Sequence, residues 1–257
     1  MKEITLEERK QIQLRMLIEI DAFCRKHNIR YSLAYGTLIG AIRHKGFIPW
    51  DDDVDIMMPL PDMLRFKELF KSETMCYCDV DTDKRYKYAF SRIANTQTYN
   101  KNGLISTSYG ICIDLYPVLG LPLSIEGIEQ FFKKGEQELN RRLRIIRLVD
   151  LVKRFLPVTY VNGFNEAMKR YRDFLFQYPY ERTKYFFTNG GELEMRNVHE
   201  FDLFEECTEV LFEGHKFMSI ARYDDYLRHF YGDYMQLPPE DKRVPYHGGH
   251  YYWKKEK

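Results

Sequence analysis

The sequence predicts an α/β (α+β) fold, a small mixed sheet flanked by helices, with a helical insertion over about 124–178. Three observations predict it. Ile12, Met16, Ile20 and Phe23 recur at helical spacing near the N-terminus. The stretch YSLAYGTLIGAIRHKGFIPWDDDVDIMM, residues 31–58, reads as strand, glycine turn, short helix, loop and strand. Residues 124–155 read as mostly helical. At 257 residues, 44% of them hydrophobic, the chain can bury a sizeable core, and no linker or repeat divides it. One domain over 1–257 is the expectation.

Thr5 and Glu8 form a capping-box pattern, which starts a helix over about 6–26. A β-prone run, Tyr31 to Tyr35, ends at Gly36-Thr37, and Leu38 to Ile42 has helical character. Gly46 stands where a helix C′ residue would. Pro59 and Pro61 stop the acidic strand, and a helix follows over about 62–71. Strands are expected over 75–80 and 86–95, then a short buried strand over 110–117 carrying Asp114. A helix is expected over 162–177, a hairpin centred on Glu213-Gly214, and a short helix over 224–231 ended by Gly232.

The chemistry concentrates in Asp51-Asp52-Asp53-Val54-Asp55-Ile56. In an extended strand Asp53 and Asp55 share one face while Val54 and Ile56 enter the core. Two carboxylates side by side repel, and a cation between them removes the cost. Mg²⁺ suits such ligands, because it binds a few carboxylates together with substrate phosphates. Gly36 and Thr37 offer a permissive backbone and a hydroxyl where phosphates could approach. Three other accounts of the acidic run stand beside this one. An EF-hand loop would need Gly where Ile56 stands and Glu where Asp62 stands. A solvated acidic turn explains neither the Val/Ile alternation nor the upstream Gly-Thr. A glycosyltransferase could use Asp-x-Asp to hold a nucleotide sugar.

The run GTLIGAIRHKGFIPWDDDVDI resembles the signature of the LicD family, which includes lipopolysaccharide cholinephosphotransferases and fukutin-related proteins. Turn, basic cluster, Pro-Trp and acidic run occur in that order. The segment around Ile113-Asp114-Leu115-Tyr116-Pro117 and the tail YGDYMQLPPEDKRVPYHGGHYYW resemble further family motifs. The resemblance implies a nucleotidyltransferase-like sheet and transfer of a phospho-alcohol, typically phosphocholine from CDP-choline, to a hydroxyl of a cell-surface glycan or its lipid-linked precursor. It implies Asp53, Asp55 and Asp114 as catalytic carboxylates holding one or two Mg²⁺ ions, with Mn²⁺ as a substitute. Gly36, Thr37, Arg43, His44, Lys45, Trp50 and Arg92 are the candidate donor contacts, and His247 and His250 candidate tail contacts. Phosphoethanolamine, aminoethylphosphonate or a polyol phosphate remain alternative head groups. Transfer of NMP, and a non-catalytic binding protein on this scaffold, are the other classes.

A formal charge of +1 gives no global electrostatic argument for nucleic acid as a partner. Five cysteines without zinc-like spacing suit reduced thiols in the cytoplasm. No signal peptide and no run of eighteen apolar residues is visible, so a lipid-linked substrate would be met at the inner membrane face. Between Lys133 and Arg154 eight basic residues face three acidic ones, a local charge of +5. Ile145, Val149, Val152 and Leu156 fall on one helical face, with Arg144, Arg147 and Arg154 away from it. Peripheral membrane contact through 141–156 is one use of that pattern, and a solvated surface helix is the other.

Overall fold

The computed structural model describes residues 2–100, 109–152, 162–188, 193–244 and 248–254. Helix α1 (Leu6–Lys26) has the bounds its sequence predicts. The Thr5 hydroxyl accepts from the Glu8 N–H, and the Glu8 carboxylate accepts in return from the Thr5 N–H. Its buried stripe, Ile12, Met16, Leu17, Ile20 and Cys24, joins the main core.

The chain then makes β1 (Ser32–Leu33), α2 (Tyr35–Ile39), a wider π turn (Gly40–His44), β2 (Asp55–Pro59), α3 (Leu60–Leu69), β3 (Met75–Cys78), β4 (Ser91–Asn95), β5 (Thr98–Asn100) and β6 (Cys112–Gly120). In the sheet the order is β1-β2-β6-β4-β3. Strands β2 and β6 run parallel while their other partners run antiparallel, so the sheet is mixed as expected.

Helices α4 (Ile125–Val152) and α5 (Asn162–Leu175) follow β6 as the predicted insertion. They meet through Phe131 and Phe174, stacked at 4.8 Å. The chain returns as β7 (Phe186–Thr188), which pairs with the far end of β6 and with β8 (Val198–His199). The hairpin β9 (Cys207–Phe212) and β10 (His215–Ile220) turns on Glu213 and Gly214, at φ 49° and 76°. Positive φ at both central residues is what a tight hairpin turn requires. Helix α6 (Tyr223–Tyr231) comes next, and β11 (Tyr251–Trp253) closes on β5.

Three local expectations shift. Strand β4 begins only at Ser91, because Tyr86 is fully buried and its hydroxyl donates to the Phe90 carbonyl, folding 86–90 back on itself. The left-handed residue that ends the π turn is Lys45 (φ 62°), not Gly46. Gly46 serves a close approach instead, since a Cβ there would lie 2.1 Å from Glu213 Oε1. On α4, Ile145 and Ile146 pack against the smaller core around Cys78, Tyr86, Phe164 and Met168, while Arg144, Arg147, Leu148 and Leu151 are exposed. Arg154 and Leu156 lie outside the described residues. No helix among the described residues is long and apolar enough to cross a membrane.

On β8, His199 is buried with its ring 5.1 Å from His229 and 5.6 Å from both Tyr226 and Phe230. Burial, with some help from the His229 charge, pushes its pKa down from 6.5 to about 3. Between those values the unfolded chain takes up a proton that the folded chain refuses, so stability falls as pH falls. From pH 7 to pH 5 this one group is expected to cost about 2 kcal/mol. Urea denaturation of wild type and His199→Phe at the two pH values measures it. An equal loss in both proteins would show that His199 does not carry the dependence.

Candidate active site

The parallel register of β2 and β6 sets Asp55 directly opposite Asp114, and the β4–β6 register sets Arg92 on the other side of Asp114. Directly opposed residues share a face of a sheet, so Asp55, Asp114 and Arg92 form a row across three strands. Arg92 grips Asp114 with two parallel bonds, Nε to Oδ1 at 2.7 Å and Nη2 to Oδ2 at 2.9 Å. The lone Asp amid Ile, Cys and Leu thereby has its partner. Arg92, a candidate donor contact from sequence, is placed here as a clamp on a carboxylate.

Asp53 precedes β2 and sits in its extended approach, not on the strand itself. One ligating oxygen from each of Asp51, Asp52 and Asp53 lies within 4.8 Å of the others. Asp52 is nearly fully buried and ion-paired at 2.9 Å to Arg9 of α1. Burial, then the Asp53 charge and a hydrogen bond with Asp53, push Asp51 up to about 7. Burial, then the charges of Asp53, Asp114 and Asp51, hold Asp55 well above the usual carboxylate range despite Arg92. Its Oδ1 is buried with no hydrogen-bond partner. The structure thus gathers Asp53, Asp55 and Asp114 and adds Asp51, which sequence reasoning left out of the set.

The Gly-Thr turn holds these acids in place. Thr37 Oγ1 accepts the Asp55 N–H at 2.9 Å, and a Cβ on Gly36 would lie 2.7 Å from Asp51 Oδ2. Tyr35 enters α2 at φ 45°, a conformation that costs a non-glycine residue about 1–3 kcal/mol and recurs at functional sites. From behind, Lys10 Nζ donates to the carbonyls of Ile48 and Pro49, and Arg9 stacks on Tyr251 at 4.6 Å. Arg9 and Lys10 went unrecognised in the sequence. Their signal was two cations beside the apolar stripe of an otherwise ordinary helix.

The remaining candidates lie around this centre. Arg43 donates to the carbonyls of Tyr234 and Gln236 and to the His44 ring, tying the π turn to the segment after α6. Burial and the Arg43 charge push the His44 pKa down. The Lys45 carbonyl accepts the Glu213 N–H, docking the hairpin tip. Trp50 has the His44 ring at its edge, 6.2 Å away, and the Arg243 guanidinium over it at 5.6 Å. His250 pairs with Glu3, and His247 lies outside the described residues.

A wall of rings borders the row of acids. Tyr116, one register step pair beyond Asp114 on β6, meets Tyr35 edge-on at 5.1 Å and Phe90 at 4.6 Å. The Arg92 guanidinium lies 3.9 Å over Tyr88 and 5.4 Å from Phe90. Tyr88 and Phe90 also line a cavity of about 270 Å³, with Tyr77, Phe176, Lys67 and Arg172.

A mixed sheet that sets aspartates of two adjacent parallel strands side by side, beside an aromatic wall, defines an acidic centre. Residues 28–125 match the family described as LicD/FKTN/FKRP, nucleotidyltransferase domain. The chain is 31% identical over 269 aligned positions to the lipopolysaccharide cholinephosphotransferase LicD of Haemophilus influenzae, covering 96% of this chain and 97% of that one. An uncharacterized protein of Rickettsia typhi is 38% identical over 69 residues, 26% of this chain and 22% of its own. The chain belongs to the LicD family, and it is a phosphotransferase.

Proposed function

We propose that this enzyme transfers phosphocholine from CDP-choline to a hydroxyl of a cell-surface glycan or its lipid-linked precursor, releasing CMP, with Mg²⁺ as cofactor. The observation that carries the reading is the Asp55–Asp114–Arg92 row with Asp51 and Asp53 beside it, in a chain similar over nearly its full length to a cholinephosphotransferase.

The residues fit a hard divalent cation. All the donors are carboxylate oxygens, burial and then their mutual repulsion raise Asp51 and Asp55, and the buried Asp55 Oδ1 has no hydrogen-bond partner. Asp51, Asp53, Asp55 and Asp114 would hold Mg²⁺, which when bound supplies charge neutralisation at the pyrophosphate and lowers the pKa of the incoming hydroxyl. Asp55 and Asp114 are fixed by the sheet ladder, so the donor phosphates meet a centre organised in advance. Arg92 sets the orientation of the Asp114 carboxylate. Asp114 is the group we assign to accept the acceptor's hydroxyl proton, as the carboxylate set directly opposite Asp55 on the neighbouring parallel strand.

A quaternary ammonium has no donor N–H and is held by aromatic faces. The rings of Tyr88 and Phe90, beside the acids and along the cavity, offer such faces. Trp50 carries Arg243 on its ring much as Tyr88 and Phe90 carry Arg92, and what separates them is the cavity, which Tyr88 and Phe90 line and Trp50 does not. Competition between CDP-choline and CDP-ethanolamine, with a CMP-activated aminoethylphosphonate included, tests the head group. Choline is expected to win, Phe90→Leu to erode the preference, and Trp50→Leu to leave it largely intact. Transfer of a primary-amine head group alone would overturn the choline assignment while leaving the acidic centre standing.

A further inference from the structure

The edge strand β3 carries a pair of thiols that the transfer chemistry does not use. Cys76 and Cys78 lie two residues apart on one face of the strand, and their sulfurs are 3.6 Å apart. Cys78 is buried within the smaller core, while Cys76 is half-buried on the outermost strand of the sheet. We propose that Cys76 and Cys78 form a redox-active dithiol, which a hydroperoxide closes to an intrachain disulfide that slows transfer by disturbing Arg92.

The chemistry divides between the two sulfurs. A hydrogen bond from Cys78, with the Lys254 ammonium assisting, holds the Cys76 thiol down at about 7 against its own burial. A thiol with a pKa near ambient pH is the best attacking group, because it is both ionised and nucleophilic. Cys78 is pushed up by the same contact and by burial, so it stays protonated as the resolving thiol. The Cys76 thiolate attacks the peroxide O–O bond, giving a sulfenic acid at Cys76 and releasing an alcohol or water. Cys78 sulfur then attacks the sulfenic sulfur, and the departing hydroxide leaves as water with the Cys78 proton. Two thiols and one hydroperoxide thus give one disulfide, one alcohol and one water.

Closure requires the sulfurs to approach from 3.6 Å to about 2.05 Å. Residues i and i+2 of a strand are roughly 6.6 Å apart at Cα, near the upper limit that disulfides span. A bridge of that kind is readily reduced again, which suits a reversible modification. Its place connects it to the active site. Cys78 is paired in register with Arg92, and the Arg92 guanidinium clamps Asp114. Cys78 also packs in the cluster that holds Tyr86 and Tyr88, and Tyr88 lies under that guanidinium.

The experiment treats the full chain, in a Cys207→Ser background that removes the exposed thiol, with hydrogen peroxide. Alkylation and peptide mass mapping then read out the sites. The expected result is the joint loss of two thiols, and a peptide spanning 76–78 lighter by two hydrogens and resistant to alkylation. Cys76→Ser should leave Cys78 alkylatable and basal transfer unchanged. A sulfinic acid at Cys76 with Cys78 still free, or earlier oxidation of Cys24 or Cys112, would overturn the dithiol. The rate effect rests on the transfer activity proposed above, whereas the mass readout does not, so the two can fail separately. Transfer should fall several-fold on oxidation, recover with dithiothreitol, and persist in Cys76→Ser. Equal loss of rate in both proteins would overturn the link through Arg92.

Discussion

Asp55→Asn abolishes transfer, by on the order of 10³-fold or more, while leaving the protein at least as stable as the wild type. Asp55 is buried, its Oδ1 has no hydrogen-bond partner, and Asp53, Asp114 and Asp51 crowd it. Its folded pKa lies above its unfolded value, so ionising it as pH rises works against the folded state. Asparagine keeps the shape and removes the charge. It also removes one of the oxygens that gather at the centre, and charge compensation at the donor pyrophosphate goes with it. Turnover and urea denaturation of the same preparation check both halves. An inactive variant that is also markedly less stable would mean Asp55 is holding the fold.

Arg92→Leu is expected to show the opposite pattern, losing activity and about 3 kcal/mol of stability together. The Arg92–Asp114 pair is bidentate and its side chains are only 22% and 12% exposed. Breaking such a pair leaves an uncompensated carboxylate beside the already crowded Asp55. The double variant Arg92→Leu/Asp114→Asn removes that stranded charge and should regain most of the stability without regaining activity. A double variant no more stable than Arg92→Leu would show that Arg92 contributes through packing on Tyr88 and Phe90.

The parts of this architecture governed by local rules could be seen in the sequence. Helix α1 announces itself by its Thr5–Glu8 box and apolar stripe, and its bounds agree with the structure. The β9–β10 hairpin follows from Glu213-Gly214, and Asp53, Asp55 and Asp114, though not Asp51, are singled out by spacing and by resemblance to family motifs. What stayed hidden depends on register between distant segments. A carboxylate buried among Ile113, Cys112 and Leu115 needs a charged partner, and Arg92 stands in the sequence only as a candidate donor contact. Joining them requires knowing that β4 pairs with β6 at that step. Arg9 and Lys10 look like ordinary helix cations until the loop carrying Ile48, Pro49 and Asp52 folds onto them. Gly36 and Thr37 looked like a phosphate cradle, yet their visible roles are to admit Asp51 and to anchor Asp55. Trp50, adjacent in sequence to the acids, turns toward Arg243. Tyr88 and Phe90, far from the acidic run in sequence, stand beside the Arg92 guanidinium that clamps Asp114.

The identity of the transferred group is the central claim, and mass analysis of both products measures it directly. With CDP-choline, a glycan acceptor and Mg²⁺, the enzyme is expected to release CMP and to leave the glycan heavier by one phosphocholine. A glycan carrying CMP, with free phosphocholine as the second product, would contradict the account.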